Sequence, residues 1–203
     1  MLETHPNRDK RGLLVQAATR LLHEQGFQRT TLADIATRAR VPLGNVYYYF
    51  KTKEALAEAV IDAHVAGLEE GFAMLTAREP SPTERLRAVV LAPLSNRDAV
   101  IRFGCPHGSL CQELDKLGPD APLAKAAASL FETHLGFAAT QYRALGFTRA
   151  QARDEAADLI AAIQGAMLLG HTLRSGDHLA RQLRRISRRL DEAPPRPRKG
   201  RSS

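Results

Sequence analysis

The chain has 203 residues, 44% of them apolar and 25% charged, which is enough for a full core in one large domain or two small ones. No apolar run approaches the ~18–20 residues needed to span a bilayer. The charged N-terminus MLETHPNRDKRG lacks the apolar core and cleavage site of an export signal, and two cysteines with no such signal point to a reducing cytosol. The net charge of +7 is unevenly placed, with +4 over residues 1–55, −4 over residues 56–180 and +7 over residues 181–203. A basic head and tail around an acidic middle suit a nucleic-acid partner at one end and a different partner in the centre.

Helical signals run the length of the chain, without alternating β-branched runs or Asn-Gly hairpin turns. The first helix is expected from about Arg8 to Gln25, with Leu14, Ala17, Ala18, Leu21 and Leu22 inward and Gly26 as a left-handed C-cap before Phe27. Thr31 with Asp34 forms a capping box for a second helix whose inner face is Leu32, Ile35, Ala36 and Ala39. Pro42 opens a third. A long helix follows from beyond Thr52 to about Ala77, with Leu56, Val60, Ala63, Leu68, Phe72 and Leu75 inward.

Ser81-Pro82-Thr83-Glu84 reads as another capping box. Pro93 ends that helix, and a short segment runs to about Phe103. Gly104–Gly108 is expected as a loop, with Ser109 and Gln112 capping the next short helix. Asp120 and Pro122 open a helix to about Leu145. Thr148 with Gln151 caps one ending at Gly176, and Asp177 caps the last, to about Leu190. The Pro- and Arg-rich stretch 193–203 reads as a disordered basic tail. The expected fold is all-α: a three-helix DNA-binding domain over residues 1–55 and a helical ligand-binding and dimerisation domain over residues 56–192.

Function concentrates in Thr31–Lys53. Two short helices with few apolar positions, broken at Val41-Pro42, are what a protein holds against a DNA groove. With Val46 inward and ~100° per residue, Tyr49 and Phe50 fall on the inner face. Gly44 and Tyr48 point away, Asn45 and Tyr47 flank them, and Leu43 lies at the edge. Asn pairs bidentately with adenine, Tyr hydroxyls donate to phosphate, and a leucine contacts a thymine methyl. Lys53 is placed to meet the DNA backbone as a point charge, and Thr31 lies at a phosphate-attracting helix N-terminus.

Over about Arg8–Leu56 the segment resembles the DNA-binding domain of the TetR (tetracycline repressor) family of helix-turn-helix regulators. The resemblance rests on Gly26-Phe27, Thr30-Thr31, Asp34-Ile35-Ala36, Val41, Gly44, Tyr47, Phe50 and Lys53-Glu54-Ala55-Leu56. It implies DNA contacts from Thr31, Leu43, Gly44, Asn45, Tyr47, Tyr48 and Lys53. Pro42-Leu43 departs from the Ser-Lys pair frequent there.

In the C-terminal part, Leu159, Ile163 and Met167 with Leu179, Leu183 and Ile186 offer a twofold four-helix dimer interface, as the resemblance also implies. The alternative is that both faces close one chain's core. Candidate effector-pocket residues are His64, Phe72, Phe103, Phe131, His134, Phe137, Met167 and His171, each also readable as packing. Cys105-x-His107-x3-Cys111 suits buried structural thiols, a redox or electrophile sensor on Cys105 and Cys111, or a metal site that lacks local ligands. The arginines from Arg181 to Arg201 suit a solvated face or non-specific phosphate contacts.

No Glu-x-x-His pair, phosphate loop or Ser/His/Asp order points to an enzyme. The expected function is a cytosolic, nucleoid-associated homodimeric repressor that binds a palindromic operator in double-stranded DNA. A small-molecule effector releases it, and neither cofactor nor membrane is involved. The alternatives are a repressor that senses oxidants or electrophiles through the Cys105 thiol, or a ligand-independent DNA-binding regulator or activator.

Overall fold

The computed structural model describes residues 6–118 and 120–191, with side chains from Lys10 onward. Among these residues the chain is helical and without strands, forming ten α-helices and one 3₁₀ turn. The expected basic tail over residues 193–203 lies outside the described residues.

Two compact units emerge. The first joins residues up to Gly67 with Pro106–Leu130. It holds α1 (Pro6–Gln25), α2 (Leu32–Ala39), α3 (Leu43–Tyr49) and the start of α4 (Lys53–Arg78). Farther along the chain it takes in α7 (Pro106–Asp115) and the start of α8 (Pro122–Ala144). Its core is Leu14, Ala18, Leu21, Phe27, Ile35, Val46, Leu56 and Val60, completed by Leu110 and Leu114 of α7. The head's packing therefore draws on residues well beyond the 1–55 segment expected to form it.

The second unit comprises Leu68–Cys105 and the chain from Phe131 onward. It contains α5 (Pro82–Leu91), a 3₁₀ turn at Ala92–Asn96, α6 (Arg97–Phe103), α9 (Arg149–Thr172) and α10 (Gly176–Arg189), besides the later parts of α4 and α8. Leu86, Val90, Ala156, Ile160, Leu179 and Leu183 are central to its core.

The six residues expected at a dimer interface all lie in this core. Leu159, Ile163, Met167, Leu179, Leu183 and Ile186 are at most 9% exposed within one chain, because α9 and α10 pack these faces on each other and on α5 and α6. They have almost no surface left for a partner. The large apolar side chains left exposed on α9 and just after it are Leu168, Leu169 and Leu173.

Most local signals act as expected. Gly26 takes φ 85°, and the Thr31/Asp34 and Thr148/Gln151 boxes are reciprocal. Others differ for identifiable reasons. Pro42 is the N-cap residue of α3 rather than its first turn. Ser81 Oγ accepts from the Glu84 N–H, but Ser81 N–H donates to Glu79 rather than to Glu84, so the box is half-made. The expected loop at Gly104–Gly108 shrinks to Gly104-Cys105, because Pro106 fits the first position of α7, and Ser109 lies inside the helix.

Arg174 at φ 51° ends α9 before Gly176, and Ser175, not Asp177, caps α10 through the His178 N–H. Ala63, expected inward on α4, is exposed, whereas Ala57, Ala59 and Ile61 are buried.

Because α7 completes the first core, Leu114→Ala should cost about 2–5 kcal/mol in urea unfolding of the full chain. A fragment ending at Gly67 should not fold by circular dichroism.

Candidate nucleic-acid interface

The interface is built from α2, its turn and α3. Thr31 Oγ1 accepts from the Asp34 N–H at 3.1 Å, and the Asp34 carboxylate accepts from the Thr31 N–H at 2.9 Å. The Thr31 hydroxyl and then its backbone N–H hold the Asp34 carboxyl below its ordinary range. At the far end of α2, Arg40 adopts φ 55°, and the Val41 N–H returns to the Ala36 carbonyl at 3.0 Å. That reversal directs Pro42 outward and starts α3.

Within α3 only Val46 is fully buried, with Tyr49 half-buried. Phe50, expected on the inner helical face, is buried but extended at φ −135°, so it anchors the helix from just outside it. Leu43 is 41% exposed, Tyr47 49% and Tyr48 67%, Gly44 and Thr31 are exposed, and Asn45 is half-buried. Beyond its chain neighbours and the backbone of its own helix, no heavy atom lies within 4 Å of where a Gly44 Cβ would stand, leaving the backbone open to close approach. Of the seven residues expected to face DNA, Thr31, Leu43, Gly44, Tyr47 and Tyr48 are exposed and Asn45 is half-buried.

Lys53 is placed differently. Its Nζ donates to the Phe27 carbonyl at 2.9 Å and the Gln28 carbonyl at 3.5 Å, and lies 4.2 Å from the Phe27 ring centroid. In this structure it braces the turn between α1 and α2 instead of projecting into solvent. Two exposed cations, Arg40 at the reversal and Lys51 just past α3, form no ion pair among the described residues. The sequence reading passed over both. Their position at the ends of the short helices was the available clue.

Comparison with known proteins agrees with this geometry. Residues 14–60 match the family model for bacterial regulatory proteins of the tetR family, and residues 82–185 match that for the LmrA/YxaF-like transcriptional regulator C-terminal domain. An uncharacterized HTH-type transcriptional regulator of Lactococcus lactis subsp. lactis, in the lacX 3' region, is 30% identical over 171 residues. That alignment covers 83% of this chain and 86% of the relative. The chain belongs to the TetR family.

The HTH-type transcriptional regulator BetI of Burkholderia ambifaria is 32% identical over 150 residues, covering 60% of this chain and 76% of the relative. A TetR transcriptional regulator from Legionella pneumophila shares the fold with a TM-score of 0.76 at 19% identity, covering 95% of this chain and 97% of that one. This TetR-family protein is a transcriptional regulator with a helix-turn-helix DNA-binding domain, and not an enzyme.

The expected effector residues of this TetR-family chain separate. In the second unit Phe72 stacks on Phe137 with centroids 4.0 Å apart and meets His134 edge-on at 5.7 Å, and Phe131 lies 6.4 Å from His134. Met167 is in the core, His171 Nδ1 lies 3.1 Å from the Ile101 carbonyl, and the Arg102 guanidinium lies over Phe103. His64 belongs to the first unit and meets His107 at 3.3 Å.

Cys105 and Cys111 are both half-buried, and neither is in a disulfide. Cys105 packs against the second core, and Cys111 Sγ donates to the Ala127 carbonyl at 3.3 Å. Among the described residues no three His, Cys, Asp or Glu side chains gather to hold a metal ion.

Burial lowers the pKa of His134, and burial followed by the charge of His23 lowers that of His64. Above the unfolded value of about 6.5 both states are neutral, and below it the unfolded chain binds protons that the folded one resists. Stability should therefore fall as pH drops below about 6.5, and the fall in melting temperature between pH 7.5 and 5.5 should shrink in His64→Gln and His134→Gln.

Lys53→Ala should lower both the melting temperature, by roughly 1–2 kcal/mol of stability, and DNA affinity. Tyr48→Ala should lower affinity alone. Parallel thermal-shift and mobility-shift measurements separate the two.

Proposed function

We propose that this regulator is a ligand-responsive repressor of the bacterial cytosol, acting at the nucleoid. It binds a palindromic operator as a homodimer and leaves it when a small-molecule effector binds. The exposed α3 face carries the reading, above all Tyr48, a large aromatic left 67% exposed beside Tyr47, Leu43 and Gly44. A monomeric fold with nothing to bind would gain by burying that surface. In this reading Tyr47, Tyr48 and Thr31 meet phosphate or sugar, Asn45 and Leu43 meet base edges, Gly44 admits the backbone, and Arg40 and Lys51 add phosphate charge.

The dimer is supported by α9. From Leu159 to Thr172 the helix carries no Asp, Glu, Lys or Arg, and its outward residues include Ala161, Gly165, Leu168, Leu169 and Thr172. Small residues beside leucines let two helices approach closely and bury apolar area on both sides. Two recognition helices on a twofold axis then address half-sites about 34 Å apart. The effector reading is supported by the cluster of Phe72, Phe131, His134 and Phe137, whose stacked rings suit a flat, largely apolar ligand.

The test uses operator DNA selected from a random duplex library with the full-length protein. A palindromic consensus bound by a dimer in sedimentation is expected, and Leu168→Glu should yield monomers that bind it at least about tenfold more weakly. Monomeric wild-type protein, or an asymmetric site, would overturn the dimer reading. Thermal-shift hits that leave the complex intact would overturn the effector reading.

A further inference from the structure

The turn from Gly26 to Thr30 joins α1 to α2 and lies outside both helices, so its backbone groups need partners from elsewhere. Thr30, fully buried, donates its hydroxyl to the Gly26 carbonyl at 2.7 Å. Lys53 takes the carbonyl side of the next two residues, as described above. The N–H side goes to Glu113 of α7, whose Oε2 accepts from the Phe27 N–H and, at 3.3 Å, from the Gln28 N–H.

Gly26 contributes in two ways. Its positive φ turns the chain, and a Cβ there would collide with the Glu113 carboxylate. Glu113 lies outside residues 14–60, the extent of the helix-turn-helix family match, and within the C-terminal match at 82–185. It is nevertheless part of the first compact unit, on a helix anchored there by Leu110 and Leu114.

We propose that Glu113 is a positioning residue for DNA binding, its carboxylate fixing the α1–α2 turn so that α2 and α3 stand in the orientation that DNA accepts. The connection is contiguous. Glu113 holds the Phe27 and Gln28 amides, the turn leads through buried Thr30 into the Thr31 cap of α2, and the Val41-to-Ala36 bond joins α2 to α3. Removing the carboxylate leaves the Phe27 and Gln28 N–H groups to water, with only the carbonyls of these two residues still held, by Lys53. α2 and α3 then sample more orientations, and apparent affinity falls with the fraction that remains competent.

This inference rests on α3 as the groove-entering helix, and Tyr48→Ala tests that premise separately. Wild type, Glu113→Ala, Glu113→Gln and Tyr48→Ala are compared as full chains on the selected operator at several salt concentrations, with amide exchange followed by NMR. Glu113→Ala should weaken operator binding about tenfold or more at an unchanged salt slope, since no phosphate contact is removed. Exchange should accelerate at Phe27 and Gln28 while α9 stays protected. Glu113→Gln, which keeps one acceptor oxygen, should fall between wild type and Ala.

Wild-type affinity in Glu113→Ala overturns the proposal. If that variant does not fold, wild-type affinity and exchange in Glu113→Gln do so. A changed salt slope would also overturn it, showing that Glu113 acts on the DNA charge and not on the turn. Undiminished binding by Tyr48→Ala would instead remove the premise about α3.

Discussion

A helix of seven residues has no stability of its own in water, and the head of this protein is organised around holding one. Val46 is the single fully buried side chain inside α3. Val41 just before the helix and Phe50 just after it supply two further buried anchors. These three points fix a short rod at its ends and middle, and they leave Leu43, Gly44, Tyr47 and Tyr48 in the open. A larger inner face would have held the helix more firmly, but only by turning inward side chains that now face outward. Minimal anchoring in turn demands a stiff surround, which α1, α2, α7 and the first turns of α4 provide.

Lys53 shows how charge is divided between stability and recognition. As an exposed cation it would add one phosphate contact and its share of salt dependence. Directed inward, it satisfies two carbonyls and lies over an aromatic face. Arg40 and Lys51 are left as the exposed cations at the two ends of the reader. In the proposed reading, holding the turn and meeting the phosphates then fall to different residues, so mutations at the two kinds of position should report different quantities.

The features legible in the sequence were those decided within about four residues. The Thr31 and Thr148 boxes, the left-handed Gly26 and the inner stripe of α1 all follow from chain-local geometry, and the structure shows them. The misreadings arose where a local signal had a competitor. The Ser81 N–H found Glu79 before Glu84, Ser175 reached the α10 terminus ahead of Asp177, and Pro106 started a helix where Gly-Cys-Pro suggested a loop. Lys53 and Glu113 were harder still, since their partners lie 26 and 86 residues away, and no periodicity encodes a contact made through a turn.

The last two helices show the limit of amphipathic reading most clearly. Periodicity correctly identified Leu179, Leu183 and Ile186 as one face of α10, but a wheel cannot say whether that face meets its own chain or a copy of it. The burial in one chain shows that it meets its own. What α10 turns outward is Arg181, Arg184, Arg185, Arg188 and Arg189, all exposed. Placed opposite their own copies across a twofold axis, these arginines would repel, whereas the outward face of α9 between Ala161 and Thr172 carries no such charge. A homodimer of this chain would therefore set α9 at its centre and keep the arginines of α10 toward solvent. The residue that tests it is Leu168, not the buried leucines that periodicity first suggests.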